Sequence, residues 1–352
     1  MVRDIYMKNK NFKSRTFLIL TLIISAAIFG CKPADSDKQP KFVAVGNATF
    51  LKFIFCSLFG LNYSNEAAYS HDGKKWKAAK MPSNASWNSL CYGKGKFVVI
   101  DVFLNNKAAY SDDGITWTET PLPVTAYWNS VCYGNGKFVA IADDSNKAAY
   151  SYDGIKWSGT TLPNTSDWNS VCYGNGKFVA IAGGFSEGSN KAAYSGDGIK
   201  WKGATLTSRE NWNSVCYGNN KFVAVSAGGL LEGSNKAAYS NDGIKWVKVT
   251  LPDEVSWNSI CYGNGKFVVL SGNKAAYSNN GITWTEAKMP DRMFWESWEN
   301  WNSVCYGNGK FVAIDGHIGG SDKAAYSEDG INWGKATLPS SVNWSSVNYG
   351  GD

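Results

Sequence analysis

Apolar and polar positions along most of this chain follow a short, strand-like and repeated pattern. Over residues 128–133, Trp128, Ser130 and Cys132 alternate with Asn129, Val131 and Tyr133, which predicts a strand of period two. Gly134, Asn135 and Gly136 follow, residue types that supply the positive φ of a tight hairpin. Residues 137–142 are almost wholly apolar, as expected of a short strand covered on both faces. After a polar loop, 147–151 reads as a third strand and Asp153-Gly154 as a turn. Residues 155–162 read as a fourth strand with Ile155 and Trp157 on one face. Pro163 is expected to end it, since proline cannot donate to a continuing ladder.

The pattern recurs along the chain. Its second half, in most copies Ser-x-Asp-Gly-Ile-x-Trp, occupies 70–76, 111–117, 151–157, 195–201, 240–246, 278–284 and 327–333. Successive copies lie 38 to 49 residues apart, the period of stacked units that cannot bury their apolar faces alone. Four short antiparallel strands per repeat, with no helical segment, predict an all-β propeller. Residues 41–45 read as a second strand with no first strand before it, and 344–349 as a first strand with no second after it. Joined, they complete one blade from both ends and remove the exposed edges of an open array. The expectation is a seven-bladed propeller of four-stranded antiparallel blades over 41–352, closed by pairing 41–45 with 344–349.

The Ser-x-Asp-Gly-x-x-Trp phrase resembles the Asp-box of the BNR repeat family. That family includes sialidases, sortilin-type receptors, two-domain xyloglucanases and a photosystem II assembly factor, so the resemblance bears on fold and little on activity. It implies a structural hairpin whose aspartate caps turn amides and whose tryptophan fills the space between blades. The corresponding residues here are Asp72, Asp113, Asp153, Asp197, Asp242, Asn280 and Asp329, with Trp76, Trp117, Trp157, Trp201, Trp246, Trp284 and Trp333. Single carboxylates in separate blades do not converge on one calcium ion. No metal and no cofactor is expected.

Residues 1–40 lie outside the repeats. Lys8, Lys10, Lys13 and Arg15 precede an apolar run, 17–29, that is short for a bilayer span and ends at Gly30-Cys31. This resembles a bacterial lipoprotein signal, which implies that Cys31 is lipidated and starts the mature chain. Residues 1–30 are then a signal peptide, read from Met1 or Met7, and 31–40 a polar tether; an ordinary cleaved signal is the alternative. Lys32 is not the aspartate that retains such proteins in the inner membrane of enteric bacteria, which points to the outer membrane or cell surface. Residues 1–30 hold five basic residues and one acidic, so their removal brings the formal charge from +6 to about +2. No nucleic-acid partner is expected without a basic stripe, and the chain reads as a monomer.

Six cysteines, Cys91, Cys132, Cys172, Cys216, Cys261 and Cys305, share one repeat position, with Asn348 in the seventh. Equivalent positions in neighbouring blades lie too far apart for disulfides, so free buried thiols are expected. His71 and His317 are the only histidines and build neither a zinc site nor a catalytic triad.

Candidate recognition lies in the segments that differ between copies, at the end opposite the repeated turns. The longer ones are 183–190, 226–235 and 315–322. The loop 47–65 carries Phe50, Leu51, Phe53, Ile54, Phe55, Leu58, Phe59 and Leu61, and either covers the central opening or meets a partner or membrane. Fourteen of the 16 tryptophans belong to the repeat; the other two, Trp295 and Trp298, sit in an insertion with Phe294, Glu296 and Glu299. Aromatic faces beside carboxylates suit sugar rings, and a local apolar cap is the alternative. Asp315 and His317 of the next blade complete this candidate site.

The leading functional expectation is a surface-anchored, non-catalytic binding propeller for a glycan or an envelope protein. A glycoside hydrolase is the first alternative, with Asp101, Asp143, Asp144, Glu187, Glu232, Glu296 and Asp315 as candidate carboxylates. Sialidases grip substrate with three arginines, whereas beyond residue 30 only Arg209 and Arg292 remain. An envelope assembly factor is the second alternative.

Overall fold

A computed structural model describes residues 41–47, 64–184, 187–229, 232–272, 274–290, 300–317 and 319–351, and every regular element in them is a β-strand. The order is β1 (Lys41–Asn47), β2 (Ser64–Ser70), β3 (Lys77–Ala85), β4 (Trp87–Gly93), β5 (Lys96–Asp101), β6 (Asn105–Ser111) and β7 (Thr118–Gly134). Next come β8 (Lys137–Asp143), β9 (Ser145–Ser151) and β10 (Ser158–Ser166). β11 (Trp168–Gly174), β12 (Lys177–Ala182), β13 (Ser189–Ser195) and β14 (Lys202–Glu210) form a four-stranded antiparallel sheet. β15 (Trp212–Gly218), β16 (Lys221–Ser226), β17 (Ser234–Ser240) and β18 (Val247–Val255) repeat it. So do β19 (Trp257–Gly263), β20 (Lys266–Ser271), β21 (Ala275–Ser278) and β22 (Thr285–Ala287). The chain ends with β23 (Trp301–Gly307), β24 (Lys310–Asp315), β25 (Ser321–Ser327) and β26 (Gly334–Gly350).

The remaining strands form two seven-stranded sheets, because β7 and β26 each run on from the outer strand of one unit into the inner strand of the next. β7 pairs through Thr118–Ala126 with β6 and through Tyr127–Gly134 with β8. Between β3 and β4, β10 and β11, β14 and β15, and β18 and β19 the same path is interrupted at one residue, such as Asp167. β26 pairs first with β25 and then with β1, placing Lys41 opposite Gly350 and Val43 opposite Asn348.

Within a unit, the second strand is fully enclosed: Phe138, Val139, Ala140 and Ile141 are all 0% exposed. The apolar clusters straddle neighbouring units. One of them joins Val98 and Ile100 of β5 to Leu122, Trp128 and Phe138 of β7 and β8. No unit therefore buries its own faces, and removing a buried tryptophan such as Trp128 would cost about 3–5 kcal/mol. Trp128 Nε1 also donates to the Val124 carbonyl (3.1 Å), so the indole is satisfied where it is buried.

The Trp-Asn-Ser phrase has a structural use that composition does not reveal. Each first strand is an edge, with unpaired amides and carbonyls. Ser130 Oγ accepts the Val171 amide of the next unit (3.1 Å), while Asn129 Nδ2 donates to the Trp168 carbonyl (3.2 Å). The serine bond recurs at Ser89–Val131, Ser170–Val215, Ser214–Ile260, Ser259–Val304 and Ser303–Val347, and Ser346 accepts from Leu90. Outer strands are edges too. Pro163 in β10, followed by exposed Asn164 and Thr165, blunts one of them.

Two expectations about the fourth strand need correction. It starts at Ser158 rather than Ile155, because the turn held by Asp153 occupies the residues up to Trp157. Pro163 lies inside the strand. The ladder to β9 breaks between Thr161 and Ser166, so no bond is lost at a residue without an amide hydrogen.

Both kinds of turn lie at one end. Asn135 (φ 47°) and Gly136 (φ 71°) make the hairpin between first and second strands, and Asn135 Nδ2 donates to the Gly196 carbonyl in the next unit's third-to-fourth turn (3.2 Å). In that second kind of turn, Asp153 Oδ1 accepts the amides of Ile155 and Lys156 (both 2.8 Å) and the Ser151 hydroxyl (3.0 Å). Asn280 does the same for Ile282 (2.8 Å) and Thr283 (2.9 Å).

The six repeat cysteines are free, and burial pushes every one of these thiols up. Cys31, Cys56, residues 1–40 with the expected signal and tether, and the apolar loop beyond Asn47 lie outside the described residues.

Candidate binding cleft

The end opposite the turns carries the loops that differ between copies. Phe294, Trp295, Glu296, Trp298 and Glu299 of the expected aromatic site lie outside the described residues. Asp315 must be withdrawn as a ligand-contacting residue. It is 1% exposed, and its Oδ1 accepts the Asn300 amide (2.9 Å), fixing the chain where β23 begins. His317 is half-buried, and its Nδ1 accepts the Gly319 amide (3.1 Å), which shapes its own loop. Asp101 is equally committed, accepting Phe103 N (2.9 Å) and Asn105 Nδ2 (2.8 Å) under full burial.

Another group of carboxylates from the sequence reading does come together. A cleft of about 320 Å³ opens between the β8–β10 and β11–β14 units, lined among others by Asp144, Asp167, Glu187, Lys191 and Arg209. That volume is at the low end for small-ligand sites, room for one sugar ring or one long side chain. Each wall has a local cause. Asp144 adopts φ 46° just after β8, with its amide donated to Asp143 Oδ1 (2.8 Å). Asp167 is the residue that interrupts the path from β10 to β11, and its carbonyl accepts the Gly183 amide (2.9 Å). Gly183 cannot be replaced: a Cβ there would lie 2.3 Å from Asn169 Nδ2 and 2.8 Å from the Trp212 carbonyl. Gly188, at φ 61°, brings the returning backbone against Glu210.

The two cations of the cleft are already engaged. Lys191 Nζ donates to the Thr165 carbonyl (2.9 Å), and Arg209 lies 3.6 Å from Glu187 Oε2 while reaching the Glu187 and Gly188 carbonyls. The carboxylates of Asp144 and Asp167 have no such counter-ion among the described residues. Burial first, and then the charges of Asp167 and Asp144, push the Asp143 carboxyl up to about 6 against the pull of the Asp144 amide. Beside the cleft, Tyr127 stands opposite Asp143 in the ladder and is 41% exposed. The arrangement offers carboxylate and backbone acceptors to hydroxyl or ammonium donors. Among the described residues no cluster of histidine, cysteine and carboxylate suits a metal ion.

Sequence reasoning singled out the 183–190 loop and proposed Asp143, Asp144 and Glu187 singly. It missed Thr165 and Asp167, whose only signal was position in a linker that varies between copies, and Lys191, which is the lysine of the repeated Lys-Ala-Ala-Tyr-Ser strand.

No protein-family model matches the chain, and no curated protein matches it. Solved structures do. A streptogramin B lyase structure is 14% identical, with a TM-score of 0.61 over 80% of this chain and 92% of that one. The selenomethionine-substituted virginiamycin B lyase of Staphylococcus aureus is 16% identical, with a TM-score of 0.60 over 86% and 96%. A structure of YCF48 bound to a D1 peptide is 14% identical, with a TM-score of 0.54 over 72% and 85%. At such identities the likeness shows fold alone: this chain is an all-β protein of β-propeller architecture.

Proposed function

We propose that this chain is a closed seven-bladed propeller, anchored through lipid on Cys31, that binds a polar ligand at its variable end without transforming it. The ring is supported by three separate four-stranded sheets plus two pairs joined through β7 and β26, and by the serine bonds that return from Ser346 to Leu90. The Asp-box reading is supported by the shared Ser, Asp and Gly bonding of the third-to-fourth turns.

One observation carries the functional reading. The turn end repeats nearly unchanged, whereas the opposite end varies and holds the polar cleft of Asp144 and Asp167. The ligand is a glycan or an exposed protein segment that presents hydroxyl or ammonium donors. A peptide-bound structure among the neighbours agrees with propellers of this size serving as protein binders. Glycan and peptide arrays probed with wild type and with Asp144→Asn/Asp167→Asn test this. The double substitution should weaken binding about tenfold or more by removing charged acceptors. Undiminished binding would remove the cleft from the function.

A glycoside hydrolase is the second reading, favoured by Asp143. A carboxyl that holds its proton to about pH 6 beside two other carboxylates matches the acid of a paired-carboxylate mechanism. Reducing-sugar release from a polysaccharide panel, abolished by Asp143→Asn, would establish it.

A further inference from the structure

The turn end differs from the variable end in charge as well as in shape. Its lysines stand at two repeated positions: the start of the second strand, as in Lys177, Lys221, Lys266 and Lys310, and the residue before the turn tryptophan, as in Lys200 and Lys245. These six form no ion pair with any described residue. The turn end holds two ion pairs of its own, Lys96 with Asp112 and Lys74 with Glu328 at 3.8 Å, while at the variable end Lys236 pairs with Glu210 at 2.8 Å and Lys274 with Asp253 at 2.6 Å. The carboxylates of the turn end are mostly turn aspartates, each with Oδ1 already accepting two backbone amides, as Asp197 does from Ile199 (2.9 Å) and Lys200 (2.8 Å). The lysines there therefore form an array across successive units.

Both kinds of turn at this end are short: two-residue hairpins such as Asn175-Gly176 and Asn264-Gly265, and the capped turns between third and fourth strands, such as residues 196–201. Short turns matter because attraction to a charged surface fades within about 8–10 Å in physiological salt. Lys41 begins β1 at this same end, opposite Gly350 and equivalent to Lys137 after its hairpin. Residues 31–40 lead directly into it.

We propose that the turn end is a docking face for an anionic lipid bilayer, with the lysine array laid against phosphate headgroups and the variable end turned away from the membrane. The charge argument stands on the lysines alone. The position of Lys41 adds to it on the reading that Cys31 carries a lipid, because the ten residues 31–40 can span no more than about 35 Å.

The test compares full-length protein on vesicles of phosphatidylcholine with and without phosphatidylglycerol, over a range of salt. One variant carries Lys200→Gln, Lys221→Gln, Lys245→Gln and Lys266→Gln. The control carries Lys107→Gln, Lys147→Gln, Lys236→Gln and Lys274→Gln at the opposite end, for the same change in net charge. Each lysine near an anionic surface is worth roughly fivefold in affinity. The turn-end variant should lose at least about tenfold on phosphatidylglycerol vesicles and most of its salt dependence, with the control close to wild type. Equal losses in both variants, or no dependence on phosphatidylglycerol, would overturn the proposal. Turn-end-dependent binding to soluble polyphosphate without vesicle binding would overturn it too, in favour of a soluble polyanion. Cys31→Ser separates the two readings. If the anchor fails, it changes nothing, while the difference between the lysine variants persists.

Discussion

At the residue scale, the turn aspartates and Asp143 respond to pH in opposite directions. Asp242 lies below its ordinary value of 3.8 because the Lys245 amide, and after it the Ile244 amide and Ser240 hydroxyl, outweigh partial burial. In Asp153 partial burial is the largest influence and pushes upward, but the Lys156 and Ile155 amides prevail. A depressed folded pKa gives stability that is complete above 3.8 and lost as pH falls through the folded value. Melting temperature should therefore drop as pH falls below about 4. Asp153→Asn should flatten that slope while keeping the turn, as Asn280 already does in the sixth copy. An unchanged slope in thermal scans would show that these turns do not control acid unfolding. Asp143 is the reverse case, raised from 3.8 to about 6. A raised carboxyl contributes stability that is present below 3.8 and lost as pH rises through 6. Asp143→Asn should thus stabilise the protein above pH 6 and bring no gain below 3.8, read by urea unfolding at both extremes. A gain of equal size at both would contradict the assignment.

At the element scale, tight contacts between first strands fix how closely the units approach. Gly174 ends β11 with its Cα against Tyr217 of the next unit, and a Cβ there would fall 1.9 Å from the ring. Gly174→Ala should cost about 1–3 kcal/mol in denaturant unfolding. In a Tyr217→Ala background the same change should cost far less, and simple additivity would contradict a direct clash. This scale also separates what the chain reveals from what it conceals. Period-two alternation at 128–133, the Asn135-Gly136 hairpin and the apolar run of β8 rest on local physics and are plain in the residues. The start of the fourth strand was misplaced because the capping of Ile155 by Asp153 competes with strand pairing. The joining of two units through β7 hinges on whether a single linker residue keeps strand geometry, which no pattern records. The role of Asn129 and Ser130 as caps for a neighbouring edge appears only once units about forty residues apart are side by side.

At the scale of the whole molecule, repetition sets up two unlike ends. The site was harder to foresee than the fold for the same reason. Asp144, Asp167 and Glu187 reach one cleft from different units, whereas Asp315 resembles Asp143 in sequence position yet is spent on the Asn300 amide. Both the proposed lysine face and the proposed binding role of the cleft rest on the proposed sealing of the ring by its first and last strands, since an open array would splay the units and leave β1 as an edge. Hydrogen exchange of the native protein addresses that dependence directly. If β1 lies between β2 and β26, the amides of Phe42–Val45 exchange as slowly as those of Phe178–Ile181 in the enclosed strand β12. Exchange of Phe42–Val45 at the rate of a frayed edge, with β12 still protected, would contradict the closed ring.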